Sequence, residues 1–306
     1  MRNAPQVAPA RPQWAQPFAP PVGSRWRIVS EHTFSDTSGA SPSEGRLTVR
    51  YDLAYTAREG AGYRVKLVLR EATADGTNQA AQLTATTLAP FRDLTVEGTT
   101  NAAGLPLRVV NEAKVRAAAT AAGDRLAAPF ADKPQFATII RQTLSNLLDP
   151  KDAAAAAAWL DPLPMLASAQ NTSLEPGAEQ RVESTLPSPF GGTIRSTTLM
   201  RLAPDARPEH FAFLATATPD PASLRETVLA VTRQIAAGQP AVAGLNERNV
   251  KQALNHMSAD IHMNREIDVE GGMARHARVE QTIDLAIFDK RIMRTQTLVV
   301  TVTPAP

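Results

Sequence analysis

Hydrophobic and polar residues alternate most regularly between Arg46 and Glu71. The apolar positions of the first run are Leu47, Val49, Tyr51, Leu53 and Tyr55, and after the turn sequence AREGAG those of the second run are Tyr63, Val65, Leu67 and Leu69. A period of two places such residues on one face of a strand. The pattern therefore predicts a β-hairpin with one apolar and one charged face, and all three tyrosines of the chain share the apolar face.

Shorter alternating runs at 25–34, 94–98 and 105–111 predict further strands. From Glu112 to Trp159 the pattern changes to helical spacing, and we expect these helices to pack on the apolar face of the hairpin. Their clearest amphipathic stripe consists of Phe136, Ile139, Ile140, Leu144, Leu147 and Leu148.

The second half of the chain repeats the order of the first. The segment 176–218 follows the pattern of the N-terminal strand and hairpin, and LTVEG at 94–98 is echoed by IDVEG at 267–271. We interpret this as an internal duplication, with one helix, Pro221 to Ala237, inserted in the second half. Three long strands close the chain. Strands in hairpins with grouped helices predict an α+β fold with a mostly antiparallel sheet.

This organisation predicts three parts. Residues 1–22 contain six prolines and form a flexible N-terminal tether, residues 23–170 form the first β-hairpin repeat with a helical segment, and residues 171–306 form the second β-rich repeat. The two repeats can form one continuous domain. A Pro-rich spacer of this kind is typical of exported or lipid-anchored bacterial domains, so we expect a periplasmic or cell-envelope location, with the signal or anchor segment absent from this sequence. An ordinary disordered terminus of a cytoplasmic protein is the alternative.

Charge and composition narrow the choice of partners. The chain has 32 basic and 30 acidic residues, a net charge of +2 that provides no field to attract nucleic acid. It has no cysteine, which excludes thiolate metal sites and cysteine nucleophiles. No apolar run approaches the roughly 20 residues of a transmembrane helix.

No catalytic or cofactor motif occurs, so we predict neither an enzyme nor a cofactor. His262 and His276 fall in consecutive predicted strands near acidic residues, and an acid-base or metal site there is conceivable. However, His262 shares the polar face of its strand with Asn264, Glu266 and Asp268, which favours solvated histidines.

The tyrosine face remains the candidate site. Its residues can pack as ordinary core against the helices, or they can line a cavity, because buried phenols need partners for their hydroxyl groups. The candidate ligand-binding residues are Tyr51, Tyr55, Tyr63, Leu53 and Leu67.

The strand entries PVG and PGA, and the strand-turn-strand LTVEGTTNAAGLPLRVVN with Gly-Leu-Pro at its second entry, resemble the periplasmic lipoprotein-carrier and LppX-like (LolA-like) group. The resemblance covers most of the chain from Gly23 to Thr303 and identifies no particular site residue. It implies a strongly curved, half-barrel-like antiparallel sheet that wraps helices and encloses a hydrophobic cavity for acyl chains.

Three functions follow from these patterns. The first is a non-catalytic envelope protein that binds a hydrophobic ligand or lipid-modified partner between sheet and helices. The second is an envelope scaffold or assembly factor that binds another protein through an exposed sheet edge or the Pro-rich arm. The third is a hydrolase or metal site around His262 and His276.

Overall fold

The computed structural model describes residues 17–37, 42–147, 149, 153–170, 174–187, 193–204, 206–207, 210–238, 258–287 and 290–306. The strands are β1 (Arg25–Asp36), β2 (Ser43–Glu59), β3 (Gly62–Gly76), β4 (Thr95–Thr100), β5 (Pro106–Val109), β6 (Glu179–Pro187), β7 (Thr193–Leu202), β8 (His210–Pro219), β9 (Ser258–Glu270), β10 (Met273–Ile287) and β11 (Lys290–Pro304). The helices are α1 (Gln79–Leu88), α2 (Glu112–Ala127), α3 (Pro134–Leu147), α4 (Ala153–Trp159), α5 (Pro162–Leu166) and α6 (Pro221–Gly238). Most of the predicted tether, residues 1–16, lies outside the described residues.

All eleven strands belong to one antiparallel sheet with the order β5-β4-β3-β2-β1-β11-β10-β9-β8-β7-β6. Strands that are consecutive in sequence pair with each other, except β5 and β6. In addition, the first strand, β1, pairs with the last, β11. The sheet is therefore open, with β5 and β6 at its edges and the first and last strands paired at its centre. The predicted α+β class and antiparallel sheet are confirmed.

The two halves repeat one order of elements. In each half three strands are followed by a helix and two further strands, and these five strands lie side by side in the same spatial order. The second half ends with one additional strand, β11, which lies between β10 and β1. The helix expected from Pro221 to Ala237 is present as α6, and α1, which the sequence analysis did not predict, stands at the equivalent place in the first half. Its sequence QAAQLTATTL contains three threonines, which weaken the helical pattern, and Asn78 begins the helix by accepting a hydrogen bond from the amide of Ala81.

The sheet is strongly curved. Phe18 lies within 2.6 Å of the position that a Cβ at Gly104 would take, and the adjacent Ala19 donates a backbone hydrogen bond of 2.9 Å to Gly272. Gly104 lies in the turn between β4 and β5, whereas Gly272 lies in the turn between β9 and β10. These turns are six strand positions apart, about 29 Å in a flat sheet. Two consecutive residues can reach both turns only if the sheet wraps around them.

The concave face carries the hydrophobic core. Along β2 and β3 the residues at alternate positions are buried, as the alternation predicts, and they include Leu53 and Leu67. Leu160, which follows α4, packs on Gly98 of β4, while α4 contacts β5 and α5 contacts β10. These short helices therefore connect both halves of the sheet from its concave side.

The helical stripe predicted on α3 does not pack on the sheet. Phe136 is 61% exposed and Ile139 is 58% exposed, whereas Ala137 is buried where α3 contacts α2. The expectation for these two residues was wrong, because helical periodicity identifies an apolar face but not the element that covers it. The side chains of Leu144 and Leu147, and all of Leu148, lie outside the described residues. No helix among the described residues is long and apolar enough to cross a membrane.

Candidate functional site

Strand register aligns one row of side chains across the concave face. From β2 to β7, successive cross-strand partners are Leu47, His32, Leu298, Val279, Arg265, Ala215 and Met200. Leu47 is buried, and the other six side chains are half-buried. We call these six residues the concave strip.

Buried side chains lie on both sides of the concave strip. The row nearer the turns of Gly104 and Gly272 includes Val300, Ile267 and Phe213, which are at most 3% exposed. On the other side comes a second row that is half-buried except at Ala217, and beyond it Ile261 and Ile283 are again buried. The half-buried residues thus form a band between two covered zones. The concave strip is its mainly apolar row, whereas the second row also contains Gln281, Gln296 and Thr198.

Arg265 is the charged residue of the concave strip. Its Cα pairs with Val279 on one side and Ala215 on the other, so its side chain starts on the same face as Ile267. Its Nε is buried and has no hydrogen-bond partner among the described residues. Burial lowers the pKa of Arg265 below the usual value.

His32 lies on the same row, three strands away from Arg265. Its ring stacks on that of Phe34 with centroids 6.2 Å apart and an interplanar angle of 11°. Burial also lowers the pKa of His32, so the neutral imidazole is favoured in the folded protein.

The predicted tyrosine site divides into two parts, of which the first is tightly packed. Tyr55 and Tyr63 are fully buried with ring centroids 5.4 Å apart, and Phe18 meets their rings edge-on at 5.9 and 5.8 Å. Such edge-to-face contacts are typical of a dry aromatic cluster. The hydroxyl of Tyr55 is buried without a hydrogen-bond partner among the described residues, and burial raises its pKa.

The second part of the tyrosine site borders a small cavity. Tyr51 and Leu67 line this cavity of about 60 Å³ together with Leu69, Leu88, Phe91, Leu94, Val96, Ala158, Trp159 and Asp161. A volume of this size holds about two water molecules and is too small for an acyl chain. Leu53, the remaining predicted residue, is 1% exposed in the core.

The sequence placed the five predicted residues on one face correctly, and their role in ligand binding stays a prediction. The sequence reasoning missed the concave strip, because its residues come from six strands that only the fold brings side by side. One signal for it was available. Arg265 stands between Met263 and Ile267, where the alternation calls for an apolar residue.

His262 lies on the convex face, as the alternation predicts, and His276 lies on the same face. His262 pairs with Thr282 and His276 with Asp268, so the two histidines are six residues apart along the strands, about 20 Å. Each has its own aspartate, with Nδ1–oxygen distances of 3.6 Å to Asp260 and 3.7 Å to Asp268. The structure does not bring the two histidines together, and the described residues contain no metal-binding cluster of three or more His, Cys, Asp or Glu.

No family model and no curated protein matches the sequence. Among solved structures, the chain is similar to lipovitellin, in a study of lipid–protein interactions, with 11% identity and a TM-score of 0.45 over 94% of this chain and 26% of that one. The chain thus spans about a quarter of lipovitellin. DynF from the dynemicin pathway of Micromonospora chersina matches with 10% identity and a TM-score of 0.21 over 98% and 92% of the two chains. An outer membrane channel of Pseudomonas putida F1 matches with 9% identity and a TM-score of 0.19 over 97% and 100%. Similarity this low transfers no function, so function is argued from the residues of this chain.

Proposed function

We propose that this protein is a non-catalytic carrier of the cell envelope, which binds a hydrophobic ligand or the lipid group of a modified partner along the concave strip. The supporting observation is the continuous half-buried band across six adjacent strands. Single exposed apolar residues are normal on any protein, but a connected apolar band on a concave surface is typical of a binding site.

The energetics of the concave strip support this proposal. Each square ångström of apolar surface removed from water contributes about 25 cal/mol. A bound acyl chain would cover side chains such as Leu298, Val279 and Met200, which the fold leaves half-buried. Phe18 already packs on the rings of Tyr55 and Tyr63. We therefore expect the ligand at the concave strip and not at these two tyrosines.

Native mass spectrometry tests the proposal directly. The protein would be purified from envelope extracts without detergent, and any bound molecule would be identified by organic extraction. A discrete lipid mass that co-purifies with the chain is expected. A mass of the chain alone that persists after incubation with palmitate and phospholipid vesicles would contradict the proposal.

A matched pair of substitutions locates the ligand. Leu298→Glu places a charge in the concave strip, whereas Val299→Glu places the same charge on the opposite face of the same strand, where Val299 is also half-buried. We expect Leu298→Glu to reduce bound lipid at least about tenfold, because the carboxylate would be desolvated against the acyl chain, and Val299→Glu to leave it unchanged. Equal loss in both variants would place the ligand elsewhere.

A second candidate is protein binding, and the exposed apolar face of α3 is the observation that favours it. Phe136 and Ile139 lie one turn apart on this helix, and Phe130 before it is 38% exposed. An apolar helix face of this kind fits the groove of a partner protein. Under this candidate, substitutions on α3 would abolish the partner complex, while Leu298→Glu would leave it intact.

A further inference from the structure

Arg265 occupies a place in the fold that normally excludes a charge. It stands on the concave face between β8 and β10, and its nearest cross-strand partners are Ala215 and Val279. Met263 and Ile267 precede and follow it on the same face of β9. A guanidinium in such surroundings loses part of its hydration, and no described residue gives it an anionic partner. This is unfavourable unless another group supplies a negative charge.

Other arginines at the concave face have partners of their own. Arg294 on β11 forms an ion pair of 2.6 Å with Asp36 on β1. Arg275 lies 3.8 Å above the ring of Trp26 and donates from Nε to the carbonyl oxygen of Glu270 at 3.2 Å. The Nη1 of Arg275 is also buried without an acceptor among the described residues, but the rest of its guanidinium has the contacts just given. Arg265 differs from both, because its Nε is buried without an acceptor and no described residue pairs with its guanidinium.

We propose that Arg265 binds the anionic head group of the ligand, so that the protein selects amphiphiles carrying a carboxylate or phosphate oxyanion over neutral ones. This inference rests on the proposed function and names its ligand class. A guanidinium presents several N–H donors in a planar fork that matches two oxygens of a carboxylate or phosphate. The oxyanion would complete the missing ion pair.

The rest of the concave strip accommodates the apolar part of such a ligand. From Arg265 the strip continues over Val279 and Leu298 to His32, a span of three strand spacings or about 14 Å. In the other direction it reaches Met200 on β7, about 10 Å away. The strip thus has a single cation, with apolar side chains on both sides of it.

The test compares two ligands that differ only in the head group. Binding of palmitate and of methyl palmitate would be measured by calorimetry on the full chain, and on the variants Arg265→Met and Arg278→Met. Arg278 is an exposed arginine on the convex face of the neighbouring strand, paired with Glu280 at 2.8 Å, and serves as the control.

We expect the parent protein and Arg278→Met to prefer palmitate over its methyl ester by about tenfold or more, as is typical for a lost charge-assisted hydrogen bond. Arg265→Met should remove this preference, because only the binding of palmitate becomes weaker. The affinity for methyl palmitate should stay within about twofold of the parent value. Circular dichroism and thermal unfolding check that the variant is folded, and its Tm should equal or exceed that of the parent because a half-buried guanidinium whose Nε has no acceptor among the described residues is removed.

The outcomes separate the inference from the proposed function. Binding of both ligands with equal affinity, or a palmitate preference that survives in Arg265→Met, would overturn the inference and leave the carrier function intact. Binding of neither ligand by the folded parent would overturn both. A parallel titration with hexadecyl phosphate distinguishes the oxyanion: tighter binding than palmitate, lost in Arg265→Met, would assign a phosphate head group.

Discussion

Gly98 shows how one residue without a side chain positions a helix on the sheet. A Cβ added there would fall inside the contact distance of the Leu160 side chain and 3.0 Å from the carbonyl oxygen of Arg108. We therefore expect Gly98→Ala to lower the free energy of unfolding by about 1–3 kcal/mol, the usual cost of overpacking a core. Urea titration would measure this change.

A second glycine provides the control for this prediction. Gly123 lies inside α2, and its added Cβ would be 3.7 Å from the Cα of Arg141, an ordinary contact. Gly123→Ala should raise stability by about 0.5–1 kcal/mol, because alanine loses less backbone entropy in a helix. Equal destabilisation by both substitutions would contradict the packing described for Gly98.

His32 makes stability depend on pH. Because burial lowers its pKa in the folded state, the unfolded chain takes up this proton first as pH falls, near the ordinary value of about 6.5. Stability should therefore fall as pH decreases through about 6.5, until the folded state is protonated as well. His32→Gln should flatten this part of the profile in urea titrations at several pH values. A variant with the slope of the parent protein would show that another group is responsible.

Alternation in the sequence predicted which face each side chain of the first hairpin occupies, since a strand of period two leaves no other choice. It could not predict the contacts made on that face. Tyr55 and Tyr63 meet Phe18, which is 37 residues before Tyr55 in the chain, and Arg265 lies between residues of two neighbouring strands, β8 and β10. Such neighbours follow from strand order, which local pattern does not encode.

Helix α3 illustrates the difference between amphipathicity and burial. Since Phe136 and Ile139 are mostly exposed, replacing both by serine should change the free energy of unfolding by no more than about 0.5 kcal/mol. Ala137, which is 4% exposed between them, gives the contrast: Ala137→Leu should destabilise by about 1–3 kcal/mol through overpacking against α2. Thermal and urea unfolding would measure both. A loss of several kcal/mol in the double serine variant would mean that α3 packs by its predicted stripe.

Among the elements, the long alternating strands and the helical zone from Glu112 to Trp159 were predictable, whereas α1 and the packing of α3 were not. β1, β2 and β3 were located from their alternation to within a few residues, whereas α1 was missed because its three threonines weaken the helical pattern. The sequence predicted a strand from 105 to 111, whereas the observed strand, β5, contains only Pro106–Val109. Strand ends depend on the neighbouring strand, which the sequence does not show.

The molecule as a whole is expected to unfold in one step. The β1–β11 pair joins the two repeats along eleven cross-strand positions, and α4 and α5 contact both repeats. Far-UV circular dichroism and tryptophan fluorescence should therefore give the same midpoint in guanidinium chloride, although no tryptophan follows Trp159 and the second repeat contains none. Separated midpoints would indicate that the repeats are independent domains.

The open curved sheet also determines where the molecule can associate. β5 has only four residues and begins with Pro106, which cannot donate a ladder hydrogen bond. β6 has nine residues, with Glu179, Arg181 and Glu183 exposed at alternate positions. Short length, proline and charge are the features by which edge strands avoid pairing with other chains. The concave strip and α3 are thus better placed than the sheet edges to bind a partner.

The pairing of β1 with β11 also determines how the fold responds to force. Trp26 lies opposite Pro304, so the start of the first strand and the end of the last strand are neighbours in the middle of the sheet. Tension applied to these two points acts along the inter-strand hydrogen bonds, which are perpendicular to antiparallel strands. The bonds then break one after another, as in a zipper, and not all at once as in shear. A molecule pulled at Trp26 and Pro304 would begin to open at its centre under low load.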